Sequence, residues 1–158
     1  MRERIQEDLQ EHGYIYLFVN STNPNEIKIG KSVSPMERLR QLHNTSTARP
    51  MYAYYIWEVK AMTQAEKIAH ANLDDRRISK DREFFNVITE DEALFANLEV
   101  PVQHGQGHDL VEGYLLTIRE ILERAWDYWE VDYTLMDLEY MREKHIHKVF
   151  VDGKYNSF

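Results

Sequence analysis

Gly13-Tyr14-Ile15-Tyr16 and Ile27-Lys28-Ile29-Gly30-Lys31 are the two strings whose reading decides the fold of this 158-residue chain. Side chains alternate across a strand, so the first string places Tyr14, Tyr16 and Phe18 on one face and Ile15, Leu17 and Val19 on the other. The second places Ile27 and Ile29 on one face and Lys28 on the opposite one. Residues 20–26 between them are rich in Asn, Ser, Thr and Pro, turn formers that predict an antiparallel hairpin. With the aliphatic faces sharing a core, Tyr16 and Lys28 emerge together on the far side. A phenol and an amine fixed side by side on a hairpin mark a candidate site.

Outward from the hairpin, Ser34-Pro35-Met36-Glu37 reads as a capping box with Pro at the first helical position. The helix it opens runs to about residue 43, with Met36, Leu39 and Leu42 inward and Arg38 and Arg40 flanking them. Residues 52–59 are rich in aromatic and β-branched side chains and predict a third strand. Thr63-Gln64-Ala65-Glu66 reads as a second capping box, before a helix that buries Ala65, Ile68, Ala69 and Leu73. A short strand over 83–88 and a helix capped by Thr89 and Glu92, reaching about residue 98, complete a β-β-α-β-α-β-α order. Residues 13–98 thus form a small α/β module of the α+β kind, an antiparallel sheet flanked by helices.

Residues 100–108, with Pro and two Gly, read as a linker. The extension over 99–158 carries a long helix from Asp109 to about residue 129 and a second helix from Thr134. It ends in a hairpin, residues 147–151 and 154–158 about Asp152-Gly153. Apolar residues from Val111 to Trp129 recur at three and four, a face too broad to leave in water. That face predicts a homodimer through 109–130, where one patch meets its own copy.

Hydrophobic residues make up 43% of the chain, enough for a core, and there is no cysteine. No apolar run is long enough for a membrane span, and the amino end shows no secretory pattern. These features predict a reducing, cytoplasmic setting and exclude a cysteine zinc site. The formal net charge of −8 runs against the basic habit of nucleic-acid binders. Yet residues 13–98 carry eleven Lys/Arg and eleven Asp/Glu, whereas 99–158 carry six and twelve. The balanced part holds two cationic clusters, Lys28/Lys31/Arg38/Arg40 and Arg76/Arg77/Lys80/Arg82, so a compact site can bind phosphate within an acidic protein. Binding to long DNA should be weak and salt-sensitive, and removing residues 101–158 should strengthen it if they only repel.

The order and spacing of Tyr14-Ile15-Tyr16, Lys28-Ile29-Gly30, Arg38, Glu66 and Asn86 resemble the GIY-YIG nuclease superfamily over residues 13–98. The Lys heading the second tripeptide is most similar to the branch found in phages, large DNA viruses and a fungal meiotically up-regulated gene family. The resemblance implies a Mg²⁺-dependent endonuclease of phage or mobile-element origin acting on nucleic acid, DNA before RNA. It implies Tyr16 as general base or its helper, Arg38 as phosphate clamp, Glu66 as ligand of one divalent ion and Asn86 as an orienting residue. Lys28 stands where most of the superfamily has Tyr. Tyr14, Lys31, Arg40 and His70 are the accompanying candidates for substrate contact. A phenol with its ordinary pKa near 10 is a poor base at neutral pH. Lys28 and Arg38 nearby would lower that pKa. Lys28 can itself bind phosphate, or accept a proton if desolvated, so the identity of the base stays open.

Each residue also has an ordinary reading. Tyr14 and Tyr16 suit half-buried strand positions, and Lys28, Lys31, Arg38 and Arg40 suit solvated faces. Glu66, at the third position of a capping box, is explained by capping alone. His70 pairs naturally with Glu66 one turn away, and Tyr52, Tyr54, Tyr55, Trp57, Trp126 and Trp129 read as packing. His104/His108 and His145/His147 lack the cysteines or carboxylates of a metal site. A second function class suits the acidity: a catalytically idle module that binds protein or mimics nucleic acid.

Overall fold

The computed structural model describes residues 11–43, 50–79, 83–97 and 108–151. β1 (Gly13–Asn20) and β2 (Asn23–Ser32) form the expected antiparallel hairpin, with Tyr16 opposite Gly30 and Leu17 opposite Ile29. The turn is shorter than its composition predicts. Asn20 Oδ1 accepts from the Thr22 N–H at 3.0 Å and its hydroxyl at 2.8 Å, which closes the turn at Ser21 and Thr22 and leaves Pro24 inside β2. After α1 (Pro35–His43), β3 (Met51–Val59) pairs with the other side of β1. α2 (Met62–Asn72) leads to β4 (Phe84–Asn86), which pairs with β2. α3 (Glu90–Phe95), α4 (His108–Tyr128), β5 (Tyr133–Leu135) and α5 (Leu138–Val151) complete the chain, with β5 on the edge of β3. The sheet has five antiparallel strands in the order β4-β2-β1-β3-β5, flanked by helices, the α+β class predicted.

Both faces of the sheet are covered. Ile15, Leu17, Val19, Ile27 and Ile29 enter a core closed by residues of α2 and α4. Tyr16, Phe18 and Ile56 enter a second core, closed by Met36, Leu39 and Leu42 of α1 and Met141 of α5. The face expected to emerge beyond the core is therefore roofed: Tyr16 is 1% exposed and Lys28 8%.

α4 buries Val111, Leu115, Ile118, Leu122 and Trp126 against this one chain. The Trp126 ring meets Trp57 edge-on at 5.1 Å, and its indole N–H donates to the Ala65 carbonyl at 3.0 Å. Trp129 falls past the end of the helix and stays 58% exposed. The burial need from which dimerisation through 109–130 is inferred is thus met within the chain. Residues 108–151 supply a strand and part of the core, so removing 101–158 would uncover Trp57 and unpair the edge of β3. That deletion should therefore destabilise the sheet as well as remove the acidic charge.

Two expectations for the extension are corrected. Thr134 lies in β5, where Tyr133, Thr134 and Leu135 face Val59, Glu58 and Trp57; an available strand edge outweighs helical periodicity. The second helix starts at Leu138 instead, with Asp137 Oδ1 accepting from the Tyr140 N–H at 3.0 Å. Residues 147–151 continue α5 and are not a strand. An isolated hairpin is marginal, whereas each residue added to a formed helix gains a hydrogen bond. Residues 1–10, 44–49, 80–82, 98–107 and 152–158 lie outside the described residues, and with them Lys80, Arg82, the linker and the second half of the expected hairpin.

The second cationic cluster is structural where it is described. Arg76 is buried, its Nη1 donating to the Val87 carbonyl at 2.6 Å and to Glu92 Oε1 at 2.7 Å, its Nη2 to Glu92 Oε2 at 2.9 Å. Glu92 also closes the predicted capping box with Thr89. Arg77 Nε lies 3.3 Å from Asp74.

Candidate active site

β4 is three residues long and begins at Phe84, so β2 has no strand partner on its outer edge beyond Lys28. Edge groups left by a short strand must be satisfied by something else. The Ile29 N–H donates to the Glu83 carbonyl at 3.0 Å, and the Ile29 carbonyl accepts from His70 Nε2 at 2.8 Å. A carbonyl can only accept, so His70 carries a proton on Nε2. Next along the same edge, the Lys31 N–H donates to the Glu66 carboxylate. α2 thereby brings Glu66 and His70, one turn apart, to the open edge of the sheet.

Gly30 is crossed by the Tyr16 ring. A Cβ at this position would lie 2.6 Å from Tyr16 Cζ and 2.8 Å from Glu83 Oε2, so only glycine leaves room for both. Tyr16 stacks on Phe18 with centroids 4.1 Å apart, and its hydroxyl is hydrogen-bonded to the Arg38 side chain on α1. Lys28, on the same face, lies 3.3 Å from Glu83 and 4.9 Å from the centre of the Phe84 ring. The structure therefore brings Tyr16, Lys28, Arg38 and Glu66 together from four elements and adds Glu83. Gly30→Ala should displace the Tyr16 ring and cost about 1–3 kcal/mol, as overpacking does. Urea denaturation checks the loss, and the near-ultraviolet dichroism of the displaced tyrosine checks its cause.

Burial first, and the Glu83 charge second, push the Tyr16 phenol up to about 12; the Arg38 hydrogen bond and charge oppose this and lose. This corrects the expectation that Lys28 and Arg38 depress it, because Lys28 is matched by Glu83 and burial outweighs Arg38. Tyr16 is protonated at neutral pH. Burial, then Glu83, also raises Glu66 above the ordinary carboxylate range, against the pull of His70, Lys31 and the Lys31 N–H. Glu66 Oε2 is buried with no hydrogen-bond partner.

A buried carboxylate oxygen without a partner is costly unless something binds it. Capping does not account for Glu66. α2 begins at Met62 after Ala61, with no side-chain cap, and the Thr63 hydroxyl instead accepts from Lys31 Nζ at 2.8 Å. A carboxylate whose charged form is disfavoured by burial and by a second carboxylate, and which has an orphan oxygen, fits a divalent cation. Among the described residues no three metal-ligating side chains gather. An ion here would keep most of its coordination for water and phosphate, the habit of Mg²⁺.

Of the other candidates, Lys31 and His70 contact this cluster's edge of the sheet, whereas Arg40 and Asn86 stand apart from it. Tyr14 is one alternation along β1 on the Tyr16 face, half-buried. Lys31 reaches Thr63, and exposed Arg40 is held by Glu37, with Nε 3.0 Å from its carboxylate. His70 spends its Nε2 proton on the sheet edge. Asn86 sits opposite Glu26, two alternations along β2 from Gly30. Glu83 escapes the sequence reading because its place depends on a three-residue strand docking beside β2. Its one signal is an acidic residue directly ahead of Phe84-Phe85.

The T5orf172 domain model matches residues 13–96, just over half of the chain. This is a GIY-YIG-like, phage-associated, nuclease-type domain. No curated protein and no solved structure matches the chain.

Proposed function

The chain belongs to the T5orf172 domain family, and from that membership and the site we propose that it is a Mg²⁺-dependent phosphodiesterase. Its substrate in this reading is nucleic acid, DNA before RNA, and its branch is the phage and large-virus one whose second motif begins with Lys. The observation that carries the reading is the buried, unpartnered Glu66 oxygen beside a Tyr16 hydroxyl bound to Arg38.

Glu66 would hold the ion. Bound Mg²⁺ supplies positive charge to the phosphoryl oxygens and acidifies a bound water. Arg38 presents the planar fork that clamps a phosphate, and its hydrogen bond sets the Tyr16 phenol beside that phosphate. Tyr16, protonated at neutral pH, orients the attacking water, and it yields a proton only when added positive charge offsets burial and Glu83. Lys28, held against Glu83, contributes a cation to the developing charge. Asn86, farther along that face, positions the Lys28 end of the substrate.

Nicking of supercoiled plasmid by the intact protein, with Mg²⁺ and with a chelator, tests the proposal. Relaxation with Mg²⁺ and none with the chelator is expected. No relaxation in either condition would favour the idle binding module, which the net charge of −8 also suits.

A further inference from the structure

Lys144, His145 and Lys148 of α5, with Tyr14, Ser34 and Met141, line a groove of about 170 Å³ between α5 and the start of α1. Lys144 and Lys148 are four residues apart on one helix face, and both are exposed. No carboxylate lines the groove. Two carboxylates stand at its margin and both are engaged: Glu37, 4.0 Å from His145 Nε2, is held by Arg40, and Glu58 accepts from the Tyr14 hydroxyl. Among the described residues neither lysine has an ion-pair partner, whereas Arg119 on α4 is matched by Glu123 at 3.1 Å. Residues 99–158 hold only six Lys/Arg. Two of the six line this groove.

The groove adjoins the candidate active site. Tyr14 and Tyr16 share one face of β1, about 7 Å apart along the strand. Ser34 opens the helix that carries Arg38. In an acidic chain, an unmatched cationic rim beside a phosphate clamp attracts more of the same anion. Resting on the nuclease reading, we infer that this groove binds a backbone phosphate of the DNA strand flanking the cleaved bond. The acidic extension then does more than repel: α5 supplies the cationic track along which the substrate lies.

Binding of a fluorescein-labelled DNA duplex to the full chain, in chelator to prevent turnover, tests this by anisotropy across a KCl series. K144Q/K148Q should reduce the slope of log Kd against log salt by about 0.9, the value for one phosphate no longer neutralised. K60Q/R124Q removes the same charge from exposed positions outside the groove and should leave the slope unchanged. Equal slopes for the wild type and K144Q/K148Q overturn the inference and leave the nuclease reading standing. A wild-type chain that binds no duplex at any salt overturns it too. Plasmid nicking, measured separately, then decides whether the nuclease reading falls with it.

Discussion

Glu66→Gln should lower the proposed Mg²⁺-dependent cleavage by ~100- to 1,000-fold and, at neutral pH, should raise the melting temperature of the metal-free protein by a few degrees. The two effects share a cause. Glu66 is raised by burial and by Glu83, so its ionised form is the one the fold disfavours. A carboxyl whose folded pKa exceeds its unfolded value contributes stability that is fully present below the unfolded pKa and is lost as pH rises through the folded pKa. Gln is neutral throughout and can still accept from the Lys31 N–H. Wild type and variant should therefore melt together in mild acid and separate toward neutral pH, the variant higher. Melts at the two pH values check the stability half, and plasmid nicking checks the activity half. A glutamate kept for structure would show the reverse, a variant that melts lower at neutral pH.

Trp126→Ala should destabilise the whole protein by ~3–5 kcal/mol, the cost of removing a large, fully buried aromatic. Trp126 is 0% exposed, packs against Trp57 and donates to Ala65, so its loss also removes a buried hydrogen bond between α4 and α2. Trp129, three residues on and mostly exposed, should change stability by less than about 0.5 kcal/mol when truncated. Urea denaturation of both variants checks the contrast. Equal effects would mean that α4 does not seal the core of the sheet.

The hairpin was legible because its signals are local. Alternation from Tyr14 to Val19 and Pro35 at a helix start act within a few residues and match the observed elements, while the turn is found at its place but confined to Ser21 and Thr22. The hairpin's alternation placed Tyr16 and Lys28 together, and the resemblance added Arg38 and Glu66 to them. The electrostatics of the group could not be anticipated, because the Tyr16 shift depends on a roof made by α1 and α5 and on Glu83 across Gly30. Pairings between distant segments leave little periodic trace. β5 looked like the start of a helix since the waiting edge of β3 lies seventy-odd residues earlier, and β4 is too short to announce where it docks. The Thr63–Glu66 string misled for the opposite reason: a good local capping pattern stands one residue inside a helix that packing starts at Met62.

The claim that this edge-of-sheet site cuts phosphodiester bonds is tested most directly under single turnover. Protein in large excess over an end-labelled duplex removes weak binding by an acidic chain as an explanation for silence. The account predicts Mg²⁺-dependent cleavage that follows a single exponential and is slowed ~100- to 1,000-fold when Glu66→Gln replaces the wild type. Uncleaved DNA at saturating protein and Mg²⁺ would contradict it.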